Sequence, residues 1–490
     1  MRHCNNRRRA GALTCVQKDI HMRPVSMMLA PALGLALLAG CDRASVPAPA
    51  APAATAAAIK APVPAKSAWT AVENFDEGMA KAKAEGKAVL VDAWAPWCHT
   101  CLSMQNYVLN DPSLASLADR VVLVELDTDR PENAGFQEKY TISVWPTFFV
   151  IDPQTSRAAG LWPGSASVRE FRGFVEDGLA GIEDAHSAKA GADSPARVMG
   201  SAKAAQAAGD YAVAAKDYQQ AVAKAERAWP RRSEALMGWL MSLDQGGNAR
   251  ECLRVGRAHL AEVEGAAVPA DYAATLLSCA DDPTAGADGK AARAEAITRL
   301  RAFTDSPPVD ASADDRADAL NILSHALADD GDAAGGQKAQ EARLAVLETA
   351  VAGIKDPILA QTYDYARAQA YVALDRGDEA VAMLEAREKE MPDSYEPTAR
   401  LASALAKMER LPQSVTAYDR AIAKAYGPRK LLYLKQKAEV QGRIGDVTAQ
   451  VATLRAEVAG YEALAKGQAN PKGLLDARQR LAEAQRQRGA

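Results

Sequence analysis

The chain lacks the features that several functional classes depend on. It has no excess of positive charge: Lys plus Arg is 58 against 62 for Asp plus Glu, a formal net charge of −4. A nucleic-acid binder would carry a basic excess or a basic stripe. One stretch, near the N-terminus, is apolar enough to concern a membrane, which excludes a polytopic membrane protein. Seven cysteines in 490 residues cannot build a dense disulfide framework, so they matter through their positions. Aromatic residues make up 6% of the chain, and five of the seven tryptophans fall between positions 69 and 162. What remains is ordinary globular composition, 48% hydrophobic and 24% charged, at a length that implies about two to four domains.

The first forty residues read as an address. Positions 27–40 form an apolar run behind Arg23, too short to span a bilayer and suited to a secretory signal core. Residues 1–21 carry Arg2, Arg7, Arg8 and Arg9 without apolar periodicity, which points to Met22 as the true start. The signal ends in Leu38-Ala39-Gly40-Cys41, which resembles the lipobox of bacterial lipoproteins. That resemblance implies cleavage before Cys41 and acylation of its thiol, hence a stable membrane anchor facing the periplasm. Asp42 leaves open which membrane holds it. Residues 41–66, the lipidated cysteine and an Ala/Pro-rich stretch, are too poor in large apolar residues to bury a core and read as a tether.

From residue 67 to 184 the pattern becomes α/β. Phe75, Met79 and Ala82 recur at helical spacing before Gly86. Ala88–Trp94, Val121–Leu126 and Thr147–Ile151 read as buried strands, with a fourth expected over Ala158–Trp162. Residues 132–140 look helical, and Val168, Phe171, Phe174, Val175 and Leu179 mark a closing amphipathic helix. The chemistry sits at Trp97-Cys98-His99-Thr100-Cys101, where a strand runs into a helix start. Unpaired N–H groups in a first helical turn stabilise a thiolate at Cys98. The spacing puts Cys101 within reach to resolve a mixed disulfide, with Cys98 the exposed attacker. His99 adjoins the attacker, and its imidazolium would favour the thiolate. No second Cys-x-x-Cys or His pair lies nearby to complete a zinc site, so no metal is expected.

These residues resemble a thioredoxin-fold domain, most closely the C-terminal periplasmic domain of membrane thiol:disulfide interchange proteins and thioredoxin-like lipoproteins. The matching segments are Gly86–Asp92, Trp94–Cys101, Asp111-Pro112, Leu126-Asp127 and Trp145-Pro146-Thr147. The resemblance implies a cis Pro146 lining the substrate-docking edge. It also implies that Asp92, six residues before Cys98, lies buried under the disulfide and takes the proton of Cys101. Trp97 is expected to shield the disulfide, and Trp145, bulkier than the usual residue before the proline, to narrow the groove. His99-Thr100 and Leu102 depart from thioredoxin proper, which has Gly-Pro between its cysteines and a lysine after the second. The redox potential therefore cannot be carried over.

A stretch at 184–196 rich in Ala, Gly, Ser and Asp reads as a hinge, and residues 195–490 as a helical tail of Ala, Leu, Arg, Glu and Gln. Ala380, Leu384 and Pro392 sit at offsets 0, 4 and 12; a shift of 34 places Ser414 and Tyr418 at the first two, with Ala421 between them and the third, and a second shift brings Thr448 and Ala452; Gly209-Asp210-Tyr211, Ala214, Tyr218 and Ala221 follow the same grammar. This resembles tetratricopeptide repeats, six to eight helix pairs that imply a concave surface for a protein or peptide. Cys252 and Cys279 read first as two buried thiols, with a bridge also allowed. The tail has no nucleotide-binding loop, catalytic triad or metal cluster, and no cofactor is expected.

The fold expected is therefore an α/β thioredoxin fold followed by an all-α tetratricopeptide-like solenoid. The function expected is a membrane-anchored thiol–disulfide oxidoreductase, on the side of reduction, with disulfide-bearing protein substrates and electrons from a membrane donor. The alternative is an interaction scaffold whose thioredoxin-like domain only docks.

Overall fold

The computed structural model describes residues 69–186 and 194–489. The signal, Cys41, the Ala/Pro stretch and most of the expected hinge lie outside the described residues. Among the described residues no helix is long and apolar enough to cross a membrane.

The first region is a four-stranded sheet of order β2-β1-β3-β4, made of β1 (Ala88–Trp94), β2 (Val121–Asp127), β3 (Thr147–Ile151) and β4 (Ala158–Pro163). The β1–β2 pair is parallel and the other two pairs antiparallel. Alternation along the strands sends Leu90, Leu123, Phe148 and Val150 to one face and Val89, Val91, Val124 and Phe149 to the other. Helices cover both faces, so each strand is apolar almost throughout. The helix α1 (Phe75–Glu85) starts where the Asn74 side chain accepts from Glu77 N–H and ends at Gly86, which is left-handed at φ 65°. Next come α2 (His99–Ser103), α3 (Ala134–Gln137) and α4 (Val168–His186). In α4, Gly178 allows close approach to the sheet, since a Cβ there would lie 2.6 Å from Cβ of Val150. The helix expected over 132–140 is shorter, a 3-10 turn at Pro131–Asn133 running into α3, because Phe136 and Tyr140 turn inward to stack on each other and on Phe75 and Phe149.

Fifteen helices follow among the described residues. They are α5 (Pro195–Ala207), α6 (Tyr211–Lys224), α7 (Arg232–Gln245), α8 (Ala249–His259), α9 (Val268–Ala280), α10 (Gly286–Asp305), α11 (Ala313–Asp329) and α12 (Ala333–Val351). After these come α13 (Pro357–Ala373), α14 (Gly377–Glu390), α15 (Glu396–Lys407), α16 (Leu411–Lys424), α17 (Gly427–Ile444), α18 (Val447–Glu462) and α19 (Pro471–Gly489). Each packs mainly on its chain neighbours, as in a solenoid. Turns recur in one form: a left-handed glycine followed by a side chain that caps the next helix, at Gly209-Asp210, Gly247-Asn248, Gly331-Asp332 and Gly445-Asp446. Ala380, Leu384, Ser414, Tyr418 and Ala421 are buried on the expected register, but Thr448 and Ala452 are exposed. The second helix of that pair starts at Val447, 36 residues after Leu411 rather than 34. Two extra residues turn a helix by about 200°, so Leu454 and Glu457 take the inward positions instead.

Cys252 and Cys279 form a disulfide between α8 and α9. Two free buried thiols were the first reading; the α8–α9 packing brings the Cα atoms to 6.2 Å, a separation between distant helix positions that local sequence does not encode.

The solenoid curls around the first region. The core on the α4 side of the sheet continues without a break into α5–α11. Thr141 N–H donates to the Ala207 carbonyl at 2.7 Å. At the far end Gln468 Nε2 donates to the carbonyls of Thr128 and Arg130 at 2.9 and 3.1 Å. Gly427, left-handed at φ 54°, lies so close to the Asp129 carbonyl that any Cβ would collide with it.

Candidate active site

The dithiol sits where β1 ends and α2 begins. Cys98 is the extended N-cap residue of α2, and its sulfur accepts from Cys101 N–H at 3.0 Å. Cys98 and Cys101 are joined as a disulfide with Cα atoms 5.2 Å apart. The helix dipole and the free N–H groups of the first turn therefore point at the Cys98 sulfur. Cys101 is fully buried and Cys98 is 6% exposed. Cys98 is thus the outer sulfur, but not the exposed one that sequence implied, because the solenoid lies over this edge.

Asp92 is on β1, beside Glu125 of β2 in the parallel register and opposite Phe148 of β3. It is fully buried, its Oδ2 accepts from Gln105 Nε2 at 3.0 Å, and its Oδ1 has no partner. Burial, reinforced by the Glu125 charge and opposed by the Gln105 hydrogen bond, pushes its pKa up to about 8. At neutral pH this is a protonated carboxyl able to exchange a proton with a neighbouring group. Gln105 lies in the π-helical segment Met104–Leu109 that continues α2.

Pro146 is buried, and the Trp145-Pro146 peptide is cis. Trp145 and Trp97 pack together with ring centroids 5.5 Å apart, each holding a polar anchor. Trp97 Nε1 donates to Asp129 Oδ2 at 2.7 Å and Trp145 Nε1 to Thr128 Oγ1 at 2.8 Å. Burial, against the Trp97 hydrogen bond, raises Asp129 to about 7. The structure therefore brings Cys98, Cys101, Trp97, Trp145 and Pro146 to one edge of the sheet, with Asp92 in the layer beneath.

The partners of that edge come from the solenoid. Arg429 of α17 lies 4.3 Å over the Trp97 ring, and Tyr426 hydrogen-bonds Asp127 and carries Arg130 against its own ring. His99 Nδ1 is 2.9 Å from Asp314 Oδ1, its Nε2 is 3.8 Å from Asp318 Oδ1, and its ring stacks on Tyr365 at 5.6 Å. Burial alone would push the imidazole down. The carboxylates of Asp314 and Asp318, with the Asp314 hydrogen bond, outweigh burial and the opposing Arg343 charge and raise it to about 9. Asn106 Nδ2 donates to Thr362 Oγ1 at 2.9 Å, and Tyr107 packs on Tyr363. Asp129, Asp314, Asp318, Tyr365 and Arg429 went unseen in the sequence; four of them lie more than 200 residues from the cysteines and carry no local signature. The ligand atoms of His99, Asp314 and Asp318 lie within 4.8 Å of one another, a spacing open to a cation, but the Arg343 guanidinium opposes positive charge there.

Residues 68–153 match the family model for thioredoxin-like domains. The chain is 32% identical over 91 residues to a thiol:disulfide interchange protein DsbD of Pseudoalteromonas atlantica, spanning 18% of this chain and 15% of that one. It is 28% identical over 92 residues to protein disulfide-isomerase 1 of Dictyostelium discoideum, spanning 19% and 25%. The chain thus covers a quarter or less of the length of these relatives. The chain is also similar, over 59% of its length and 98% of the other, to a tetratricopeptide repeat protein from Parabacteroides merdae, with 11% identity and a TM-score of 0.39. The first region is thioredoxin-like and related to disulfide oxidoreductases; the second is all-helical.

Proposed function

We propose that the protein is a thiol–disulfide oxidoreductase acting on protein substrates, working as a reductase from a lipid anchor at Cys41 on the periplasmic side of a membrane. The single observation that carries the catalytic part is the Cys98–Cys101 bridge at the N-cap of α2, which follows the strand that carries the buried Asp92. The anchor rests on the Leu38–Cys41 sequence alone, and the reductive direction on likeness to interchange proteins.

In the reduced state the Cys98 thiolate attacks one sulfur of a substrate disulfide. A Cys98–substrate bond forms, the substrate S–S bond breaks, and the other substrate sulfur leaves as a thiolate that takes a proton from water. Cys101 then gives its proton to the ionised form of Asp92 and attacks the Cys98 sulfur. The mixed disulfide breaks, the second substrate sulfur leaves as a thiolate that takes a proton from water, Asp92 returns its proton to solvent, and the Cys98–Cys101 bridge remains. Two electrons have passed to the substrate. Renewed activity requires an external dithiol donor, for which we propose a membrane protein.

The alternative is a scaffold, and in this structure Tyr365, Tyr426 and Arg429 of the helical region are already engaged by His99, Arg130 and Trp97 of the first region. Insulin reduction by wild type and Cys98→Ala separates the two: loss of turnover in the variant is expected, and equal rates would overturn the enzyme reading.

A further inference from the structure

We propose that Asp314, in the first turn of α11 and more than 200 residues from the dithiol, is a positioning residue of the redox site: it fixes His99, the residue that follows the attacking cysteine, so that both regions of the chain build the site. This rests on the oxidoreductase reading above.

His99 opens α2, and the side chains that hold its ring come from the helical region. In the whole chain its side chain is only 17% exposed. The ring is gripped by the 2.9 Å hydrogen bond to Asp314, by Asp318 at 3.8 Å, and by Tyr365 stacked at an interplanar angle of 22°. Asp314 is 1% exposed, and one of its oxygens has no partner. A buried carboxylate is costly unless it is paired. It is not needed as a helix cap, because Ser312 and Asp315 already form a reciprocal capping box at the start of α11. The hydrogen bond that Asp314 makes in this structure runs to His99.

The charged and titratable groups that face the imidazole are Asp314 and Asp318 from α11, Arg343 from α12 and Tyr365 from α13, with Arg400 of α15 behind that ring at 6.0 Å. Two carboxylates outweigh one guanidinium, so the ring keeps its proton through neutral pH. The Cys98 sulfur, on the adjoining residue, then sees a constant charge and a constant ring orientation across that range. With Asp314 neutralised, the ring would gain and lose its proton near neutrality, and the reactivity of Cys98 would follow it.

The test uses the full-length, reduced protein. The rate of iodoacetamide alkylation at Cys98 is measured from pH 5 to 10, alongside NMR titration of the His99 imidazole, for wild type, Asp314→Asn and Asp314→Glu. In wild type His99 is expected to titrate at about 9, so that below about pH 8 the alkylation profile has no step coinciding with an imidazole midpoint. In Asp314→Asn the His99 midpoint falls by about one unit or more, and the alkylation rate gains a step at the new midpoint. Asp314→Glu restores the wild-type profile. Identical midpoints and profiles in wild type and Asp314→Asn would overturn the proposal. Should Asp314→Asn not fold, Asp318→Asn, at a carboxylate 37% exposed, is expected to shift both readouts in the same direction by less, and no shift there overturns it. Because neither readout needs turnover, a protein that fails to reduce insulin yet shows the step would sink the reductase reading and leave this one standing.

Discussion

The two disulfides form in regions of different design. Cys98–Cys101 joins residues three apart at a helix start, beside a Trp97 ring that Arg429 covers. Cys252–Cys279 joins the first turn of α8 to the last turn of α9, 27 residues apart, in a cluster with Leu253, Val255 and Leu276. Burial does not tell them apart, since all four cysteines are 6% exposed or less. What differs is the surroundings of the sulfur. The first pair caps a helix start: the Cys98 sulfur accepts the Cys101 N–H at 3.0 Å, and the residue next to it is a His99 held by carboxylates, so the outer sulfur can carry charge. Beside the second pair stands a carboxylate, with Asp244 Oδ1 3.4 Å from Cys279 Sγ, which opposes a thiolate there. A redox pair and a staple are distinguished by electrostatics rather than by accessibility.

Several experiments sharpen or break that contrast. The largest effect is expected for Cys98→Ala, which removes the attacking sulfur: disulfide reduction should fall by about 10³-fold or more while chemical denaturation shows little change. Cys252→Ser with Cys279→Ser should do the reverse. A loop of this length stabilises by about 3–4 kcal/mol, read as a lower denaturation midpoint, with turnover at 25 °C kept. If that pair abolished turnover without loss of stability, the staple assignment would be wrong.

Asp92→Asn tests the buried carboxyl. Because the folded pKa of about 8 lies above the ordinary carboxylate value, ionising Asp92 costs stability, and that cost grows as pH rises from 4 through 8. The variant should therefore be more stable than wild type at pH 8, by about 1–3 kcal/mol, with the advantage shrinking toward pH 5. Its mixed disulfide with substrate should persist longer, visible on non-reducing gels. A variant less stable at pH 8 than at pH 5 relative to wild type would contradict the assignment. The smallest effect is expected for Arg429→Ala, which removes a cation over Trp97 worth about 0.5–2 kcal/mol. It should speed alkylation of reduced Cys98 by a bulky maleimide more than by iodoacetamide. Equal acceleration of both would mean that α17 does not limit access.

Much of the first region was legible because its signals are local. Apolar runs at 88–94, 121–126 and 147–151 give strands, Cys98 at the end of one of them gives a helix-capping sulfur, and Asp92 on the same strand is buried because that strand is covered on both faces. The solenoid was legible as helices and Gly-Asp turns, but not in register: two extra residues in one repeat reversed the face of α18. The pairing of Cys252 with Cys279 was not legible, since it depends on how α8 crosses α9.

By itself the sequence determined the helix and strand periods, the dithiol at a helix start, the proline that precedes β3, and the division into an α/β and an all-α region. These follow from steric and hydrogen-bonding preferences acting over a few residues. The tertiary structure alone decided that the solenoid closes over the redox edge, that His99 meets Asp314, and that Trp97 lies under Arg429. Those contacts depend on the accumulated curvature of fifteen helices, to which each local turn contributes a small rotation that no short stretch of sequence specifies.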